Sequence, residues 1–312
     1  MTVLTFGETM ALTRAVDTGA LAHTSTLHLG IGGAESNFAI ALRRLGVDVT
    51  WIGRVGQDSL GDLIERELRA EGITADVIRD PDAPTGLMVK ERRTATATRV
   101  WYYRTGSAGS RLTMSDIADD RLESASLLHV TGITPALSDT ARKTTLHCVE
   151  RARALGIPVS FDLNYRRALW SPDDAGPVFR ELIALSDIVF AGEDEAAIAV
   201  GDGSPDELVA RVRDLGPRES ILKLGDQGCL AIVDGETYSL PAVPVSVIDS
   251  VGAGDGFVAG YVAERLAGEA PADRLRTAVT VGGVRVHRVR RLEGMPRRDE
   301  LGLLTTTEPV TR

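Results

Sequence analysis

Short β-branched runs alternate with amphipathic helical stretches along most of these 312 residues, and no other feature constrains the fold as much. Strands separated by helices pair in parallel, because each crossover helix returns the chain to the same end of the sheet. Val3–Phe6 reads as a buried strand, and Ala34–Leu45 as a helix stopped by Gly46 at the left-handed cap position. Val49–Ile52 is a second strand. Ser59–Glu71 is a helix with Leu60, Leu63, Ile64 and Leu68 on one face, closed by Gly72. Further on come helix Ser138–Leu155 and strands Ile157–Leu163 and Asp187–Phe190. A capping box at Ser204-Pro205-Asp206-Glu207 opens another helix, followed by strand Ile221–Leu224.

Two stretches break the rhythm. Gly86–Lys90 and Arg99–Arg104 read as extended segments joined by a threonine-rich turn, a small β-lid projecting from the main sheet. Leu230–Val233 and Thr237–Leu240 flank Asp234-Gly235, a strong hairpin signal that belongs to the main body. With no internal repeat or long linker, one α/β domain spanning 1–312, with a lid mainly from about 85–105, is expected.

Composition excludes several classes. At 43% apolar residues the chain is not disordered, and its 32 glycines follow no collagen period. A net charge of −9, dispersed along the chain, argues against a nucleic-acid or anionic-membrane partner. Cys148 and Cys229 are too few and too far apart for a disulfide framework or zinc site, and the five histidines are scattered. No positively charged leader or bilayer-length apolar stretch is present, so a cytoplasmic protein is expected.

The chemistry concentrates in two glycine-rich turns. In Asp249-Ser250-Val251-Gly252-Ala253-Gly254-Asp255-Gly256-Phe257 a strand ending near Ile248 runs into a helix of small and apolar residues. Glycines there let bare backbone N–H groups approach an anion, and the helix dipole favours its charge. An acid beside that cradle, Asp255, is electrostatically odd unless it takes a proton from an attacking hydroxyl. Gly32-Gly33-Ala34-Glu35-Ser36-Asn37 opens the first helix in a second such turn. Neither is a Walker loop, and neither fits the dinucleotide fingerprint.

Together these segments resemble the two signatures of the ribokinase-like (phosphofructokinase-B type) carbohydrate kinases. Trp101–Ala108, Thr131-Gly132-Ile133 and Phe161-Asp162-Leu163-Asn164-Tyr165-Arg166 narrow the resemblance to the 2-keto-3-deoxygluconate kinase subfamily. The resemblance implies a three-layer αβα sandwich with a mainly parallel central sheet and a small β-lid. It also implies ATP-dependent phosphorylation of the 6-hydroxyl of 2-keto-3-deoxygluconate, with Mg2+ accompanying the nucleotide. Asp255 would be the general base, and the N–H groups of Gly252, Ala253 and Gly254 the anion hole.

On the sugar side, a carboxylate calls for arginine, whose fork matches two oxygens; Arg166 takes that role by family position. Tyr102 and Arg104, two apart on one strand, face the same way and would line the sugar side of the lid. Gly33, Asn37 and Ile133 complete the substrate set. For the nucleotide, the resemblance points to Lys223, Gly225 and Gly228 in Lys223-Leu224-Gly225-Asp226-Gln227-Gly228, together with Gly252 and Gly254. Glu195 matches a glutamate associated with magnesium, although Gly192 replaces the asparagine that normally precedes it. Lids in this family often pair between subunits, so a homo-oligomer, specifically a dimer, is expected. His129 and Cys148 read as core residues, and Arg66/Arg69 and Arg151/Arg153 as solvated helix faces. Two competing readings stay open: a kinase for another sugar such as fructose, and a sugar-acid-binding protein with an impaired nucleotide site.

Gly283–Leu292 departs from the family pattern of a small-residue helix followed by Gly-Asp, offering four arginines and a histidine instead. One GC-rich choice of codons for this stretch, read one base later, encodes Ala-Phe-Ala-Cys-Thr-Val-Ser-Gly-Asp-Trp, which restores that pattern. The family frame resumes at Glu293-Gly294-Met295-Pro296. Two readings stay open: a divergent surface strand, in which Val284 and Val286 alternate with Arg285 and His287, and a compensated pair of one-base shifts; resequencing separates them, since an unshifted gene that keeps the arginines overturns the shift.

Overall fold

The alternation of strands and helices resolves into two sheets in a computed structural model that describes residues 1–94, 97–243, 252–285 and 295–304. The first part of the chain holds β1 (Thr2–Phe6), β2 (Met10–Ala15), β3 (Leu27–Gly32), α1 (Ala34–Arg44), β4 (Asp48–Gly56) and α2 (Ser59–Ala70). Next come β5 (Thr74–Asp80), β6 (Leu87–Arg92), β7 (Thr98–Tyr103), α3 (Asp119–Glu123), β8 (Leu127–Thr131) and α4 (Asp139–Ala154). They are followed by β9 (Val159–Asp162), α5 (Pro172–Leu185), β10 (Ile188–Gly192), α6 (Glu193–Val200) and α7 (Pro205–Asp214). The last part holds β11 (Glu219–Lys223), β12 (Cys229–Val233), β13 (Glu236–Leu240), α8 (Ala253–Leu266) and α9 (Pro271–Arg285).

The large sheet has nine strands in the order β13-β12-β11-β10-β9-β8-β1-β4-β5. Its neighbours pair in parallel from β11 to β5, and β12 runs antiparallel to both β11 and β13. Both faces are apolar, as helices on either side require. Val3, Trp51, Leu127, Phe190 and Ile221 point to one face, where α1, α2, α8 and α9 pack. Leu4, Phe6, Ile52, Leu128 and Phe161 point to the other, beneath α4, α5 and α7. The result is the three-layer αβα sandwich anticipated from the sequence. The Asp234-Gly235 hairpin turn also forms, with both residues at positive φ (49° and 91°).

The small sheet corrects the sequence reading. It has four strands in the order β3-β2-β6-β7, so half of it comes from residues 10–32 and not from the segment around 85–105. These two strands carry little local signal. Leu27 and Leu29 are exposed, and Met10 and Leu12 are buried only because Met88 and Val100 close over them. Each such side chain contributes roughly 1.5–3 kcal/mol only once the partner strand is in place. The edge strand β5 is mostly half-buried, and α5 carries Pro177 inside it, which breaks its helical signal.

His129 is a core residue, stacked on Phe38 at 3.9 Å between centroids and hydrogen-bonded through Nδ1 to Ser160 Oγ at 3.1 Å. Burial, aided by the charge of Lys223, drives its ring down to about 3, so it stays neutral at physiological pH. Burial likewise pushes the Cys148 thiol up to about 12, which removes it as a nucleophile. Among the described residues no helix is long and apolar enough to cross a membrane. Of the anomalous stretch, Gly283–Arg285 continue α9, while 286–292 lie outside the described residues, as do 244–251 with the expected strand end at Ile248.

Candidate active site

The carboxyl ends of β8, β9 and β11 deliver Thr131, Asp162 and Lys223 to one edge of the large sheet, the end at which open α/β sheets hold ligands. The two glycine turns lead into α1 and α8, which pack against each other at this edge. Gly33 caps α1 in extended backbone, and a Cβ there would collide with the carbonyl of Glu8. Gly252 caps α8 with φ of 82°, a left-handed conformation that a side chain resists. The first N–H groups of α8, from Ala253 and Gly254, have no intrahelical partner and form a ready anion cradle. Among the described residues, Lys223 Nζ is the only atom near the position of a Cβ on Gly254, 3.6 Å from it.

Asp255, in the first turn of α8, is 8% exposed and held by two amides. Asn37 Nδ2 donates to its Oδ2 at 2.8 Å, and Asn164 Nδ2 donates to its Oδ1 at 3.3 Å. Asn164 adopts φ of 40°, a left-handed backbone that asparagine tolerates better than most residues and that tends to persist at functional sites. Asn164 carries no motif of its own in the sequence; the alternation of polar residues Asp162, Asn164 and Arg166 is the one local signal for it.

One cleft of about 510 Å³ gathers every sugar-side candidate, Gly33, Asn37, Tyr102, Arg104, Ile133 and Arg166, together with Gly252 and Asp255. Arg167, not singled out from the sequence, lines it too. The small sheet forms one wall through Met10, Met88 and Val100, so Tyr102 and Arg104 do share the cleft face. Beneath it lies Glu35, wholly buried. Thr131 and Thr134 each donate to its Oε1 at 2.7 Å, and its Oε2 has no partner among the described residues. Burial raises this carboxyl above its ordinary range despite the two hydroxyls, and the charge of Asp255 adds to the rise.

Of the nucleotide-side candidates, Gly252 lines this cleft, whereas Lys223, Gly225, Gly228 and Gly254 do not. Lys223 Nζ pairs with Asp162 Oδ1 at 2.6 Å. Burial pushes the Asp162 carboxyl up although Lys223 pulls the other way. For Lys223, burial works to lower the ammonium, but Asp162 and Glu195 outweigh it and hold the charge in place. Asp162 is thus a second residue whose role the sequence did not reveal. Glu195 accepts from the Gly192 N–H at 2.7 Å and the Tyr165 N–H at 3.0 Å, so it ties α6 to the Asn164 segment. Gly225 and Gly228 lie in the turn after β11, where a Cβ on Gly228 would strike the Leu240 carbonyl; the hairpin alone requires that glycine.

Among the described residues no group of three or more acids, histidines or cysteines is arranged to hold a metal ion. Asp162 and Glu195, the acids beside Lys223 among the described residues, suit Mg2+ carried on a nucleotide, since Mg2+ keeps most of its shell for water and phosphate and needs only one or two carboxylates.

A deep cleft, an acid held by amides and a helix N-terminus open to an anion define a phosphoryl-transfer enzyme. Comparison with known proteins agrees: residues 2–296 match the pfkB family carbohydrate kinase model, and the chain belongs to that family. It is therefore an ATP-dependent sugar kinase. The chain is 37% identical to a 2-dehydro-3-deoxygluconokinase of Bacillus subtilis (strain 168), over 96% of this chain and 93% of that protein. It is 33% identical to a 2-dehydro-3-deoxygalactonokinase of Haloferax volcanii, over 86% of this chain and 85% of that one. The crystal structure of a PfkB protein from Polaromonas sp. JS666 superposes with a TM-score of 0.88 at 34% identity, covering 96% of this chain and 98% of that one.

Proposed function

We propose that this kinase phosphorylates the 6-hydroxyl of 2-dehydro-3-deoxygluconate (2-keto-3-deoxygluconate), giving the 6-phosphate. The observation that carries this reading is the meeting of Asp255 with Tyr102, Arg104 and Arg166 in one cleft, which brings a base, side chains for the body of a sugar and an arginine for its carboxylate around one space. Asp255 takes the proton of the attacking hydroxyl, its carboxylate oriented by Asn37 and Asn164. The N–H groups of Gly252, Ala253 and Gly254 receive the charge of the transferring phosphoryl group, and Lys223, steadied by Asp162, adds a fixed positive charge beside them. Gly33, Asn37, Ile133 and Tyr102 shape the sugar pocket. Gly225 and Gly228 flank the nucleotide, with Asp162 and Glu195 facing its ion. Mg2+, when bound with ATP, supplies neutralisation of the phosphate charge. The 312 residues act as one kinase unit, and the small sheet covers the sugar and keeps out water, which would otherwise accept the phosphoryl group.

Coupled ADP release with ATP and Mg2+ tests the substrate across 2-dehydro-3-deoxygluconate, its galactonate epimer, fructose and ribose. Turnover confined to the keto-deoxy acids is the expected result. Preference for fructose or ribose sinks the acid reading. No turnover, with the acid still protecting the protein against heat, would make it a sugar-acid-binding protein.

A homodimer through the small sheet belongs to the same proposal. Leu27, Leu29, Trp101 and Tyr103 lie on one face of that sheet and are 40–64% exposed, an apolar patch suited to a second copy. Light scattering should return twice the 33.3 kDa chain mass, and Leu29→Glu should halve it; a monomeric wild type rejects the dimer.

A further inference from the structure

Glu8 sits where the chain crosses from β1 into β2, between the two sheets, with its side chain wholly buried. Arg104 Nε donates to its Oε2 at 2.7 Å, Arg104 Nη2 pairs with the same oxygen, and Ser107 Oγ donates to Oε1. Three separate segments leave room for it. A Cβ on Gly86 or Gly109 would run into the Glu8 side chain, and one on Gly33 into its carbonyl. A carboxylate is therefore built into the junction beneath the cleft and fastened to the arginine that lines it.

This changes what Arg104 offers a substrate. The Nε/Nη2 edge, which grips a carboxylate side-on, is already occupied, and the positive charge is offset by Glu8. Among the described residues nothing engages Nη1, which leaves it free to donate to a neutral oxygen. A substrate carboxylate brought to the same fork would meet Glu8 as a like charge. At the far rim the accounting is reversed. Arg166 is exposed and, among the described residues, donates only to the neighbouring Tyr165 carbonyl, at 2.9 Å. Among the described residues no acid pairs with Arg166 or with Arg167, and both line the cleft.

Resting on the sugar-acid reading, we propose that Glu8 is a positioning residue that makes Arg104 a reader of the sugar's neutral oxygens, hydroxyl or keto, and leaves the carboxylate to Arg166. Selectivity for an acid then arises at one end of the cleft, while Arg104 grips the body of the sugar whatever its charge.

The test uses wild type, Glu8→Gln and Arg166→Gln with two acceptors: 2-dehydro-3-deoxygluconate and 3-deoxyfructose, the same sugar with the carboxylate replaced by an alcohol. Arg166→Gln should raise KM for the acid about tenfold and leave KM for the alcohol unchanged. Glu8→Gln should raise both values by the same factor, about tenfold, with KM for ATP unchanged. A rise confined to the acid, a fall for the acid, or no change in Glu8→Gln overturns the proposal. If Glu8→Gln does not fold, Arg104→Lys replaces it, keeping the charge and losing the fork; parallel rises support the proposal and an acid-only rise overturns it. A wild type that ignores the acid would sink the substrate reading, whereas one that uses it with unaltered KM in Glu8→Gln would sink only this one.

Discussion

Asp255→Asn is expected to lower kcat about 10³-fold while leaving KM for the sugar within a few-fold of wild type. The substitution keeps the size of the side chain and removes its ability to hold a proton. One cost follows from the geometry. Asn37 and Asn164 both donate to the carboxylate, and an amide at 255 accepts through only one of its two heavy atoms. One neighbouring amide must turn, which should show as a small loss of thermal stability. Steady-state kinetics beside a melting curve separate the two effects. A variant that unfolds near the wild-type temperature yet keeps more than a tenth of wild-type kcat would remove Asp255 from its role.

Lys223→Met should cost about 10²–10³ in kcat, the range seen when one preorganised group facing a developing charge is removed. The prediction rests on position: Nζ lies beside Gly254 and is anchored by Asp162. Because Lys223 does not line the sugar cleft, KM for the sugar should stay close to wild type and the loss should fall on kcat. The charge accounting adds a second readout. Without Lys223 the buried Asp162 loses the partner that was pulling its pKa down, so burial raises it further. A raised folded-state pKa means that the folded protein holds a proton the unfolded chain has released. The variant should therefore lose stability, relative to wild type, as pH rises above about 6, where wild-type Asp162 gives up its proton and the variant's Asp162 still holds it. Equal kcat in the two proteins would place the phosphoryl group elsewhere.

The glycine turns show how far local sequence reaches. Gly252 was legible because a positive φ at the start of a helix is a demand on one residue, and an acid three positions later is fixed in direction by the same turn. The capping box at Ser204, the stop at Gly46 and the hairpin at Asp234-Gly235 were legible for the same reason. Strands β2 and β3 were not, since β3 leaves Leu27 and Leu29 exposed, and Met10 and Leu12 of β2 are buried only by Met88 and Val100 from strands much further along the chain. Glu8 gave no signal at all. An acid between two short strands reads as a surface residue until Gly86 and Gly109 are seen to make room for it.

The sequence by itself determined the alternation of strands and helices, and hence a parallel sheet, the two glycine cradles and Asp255 as the acid beside one of them. These follow from periodicity and from backbone constraints that act within a few residues of one another. The αβα layering and the class of chemistry came through resemblance. Only the tertiary structure decided how Asp255 is held, because Asn37 lies 218 residues away and meets it only when α1 and α8 pack side by side. It also decided that Lys223 is anchored by Asp162 and that Arg104 is claimed by Glu8. Those partners are set by strand order, which brings distant strand ends to one edge of the sheet, and no local preference of the chain encodes that order.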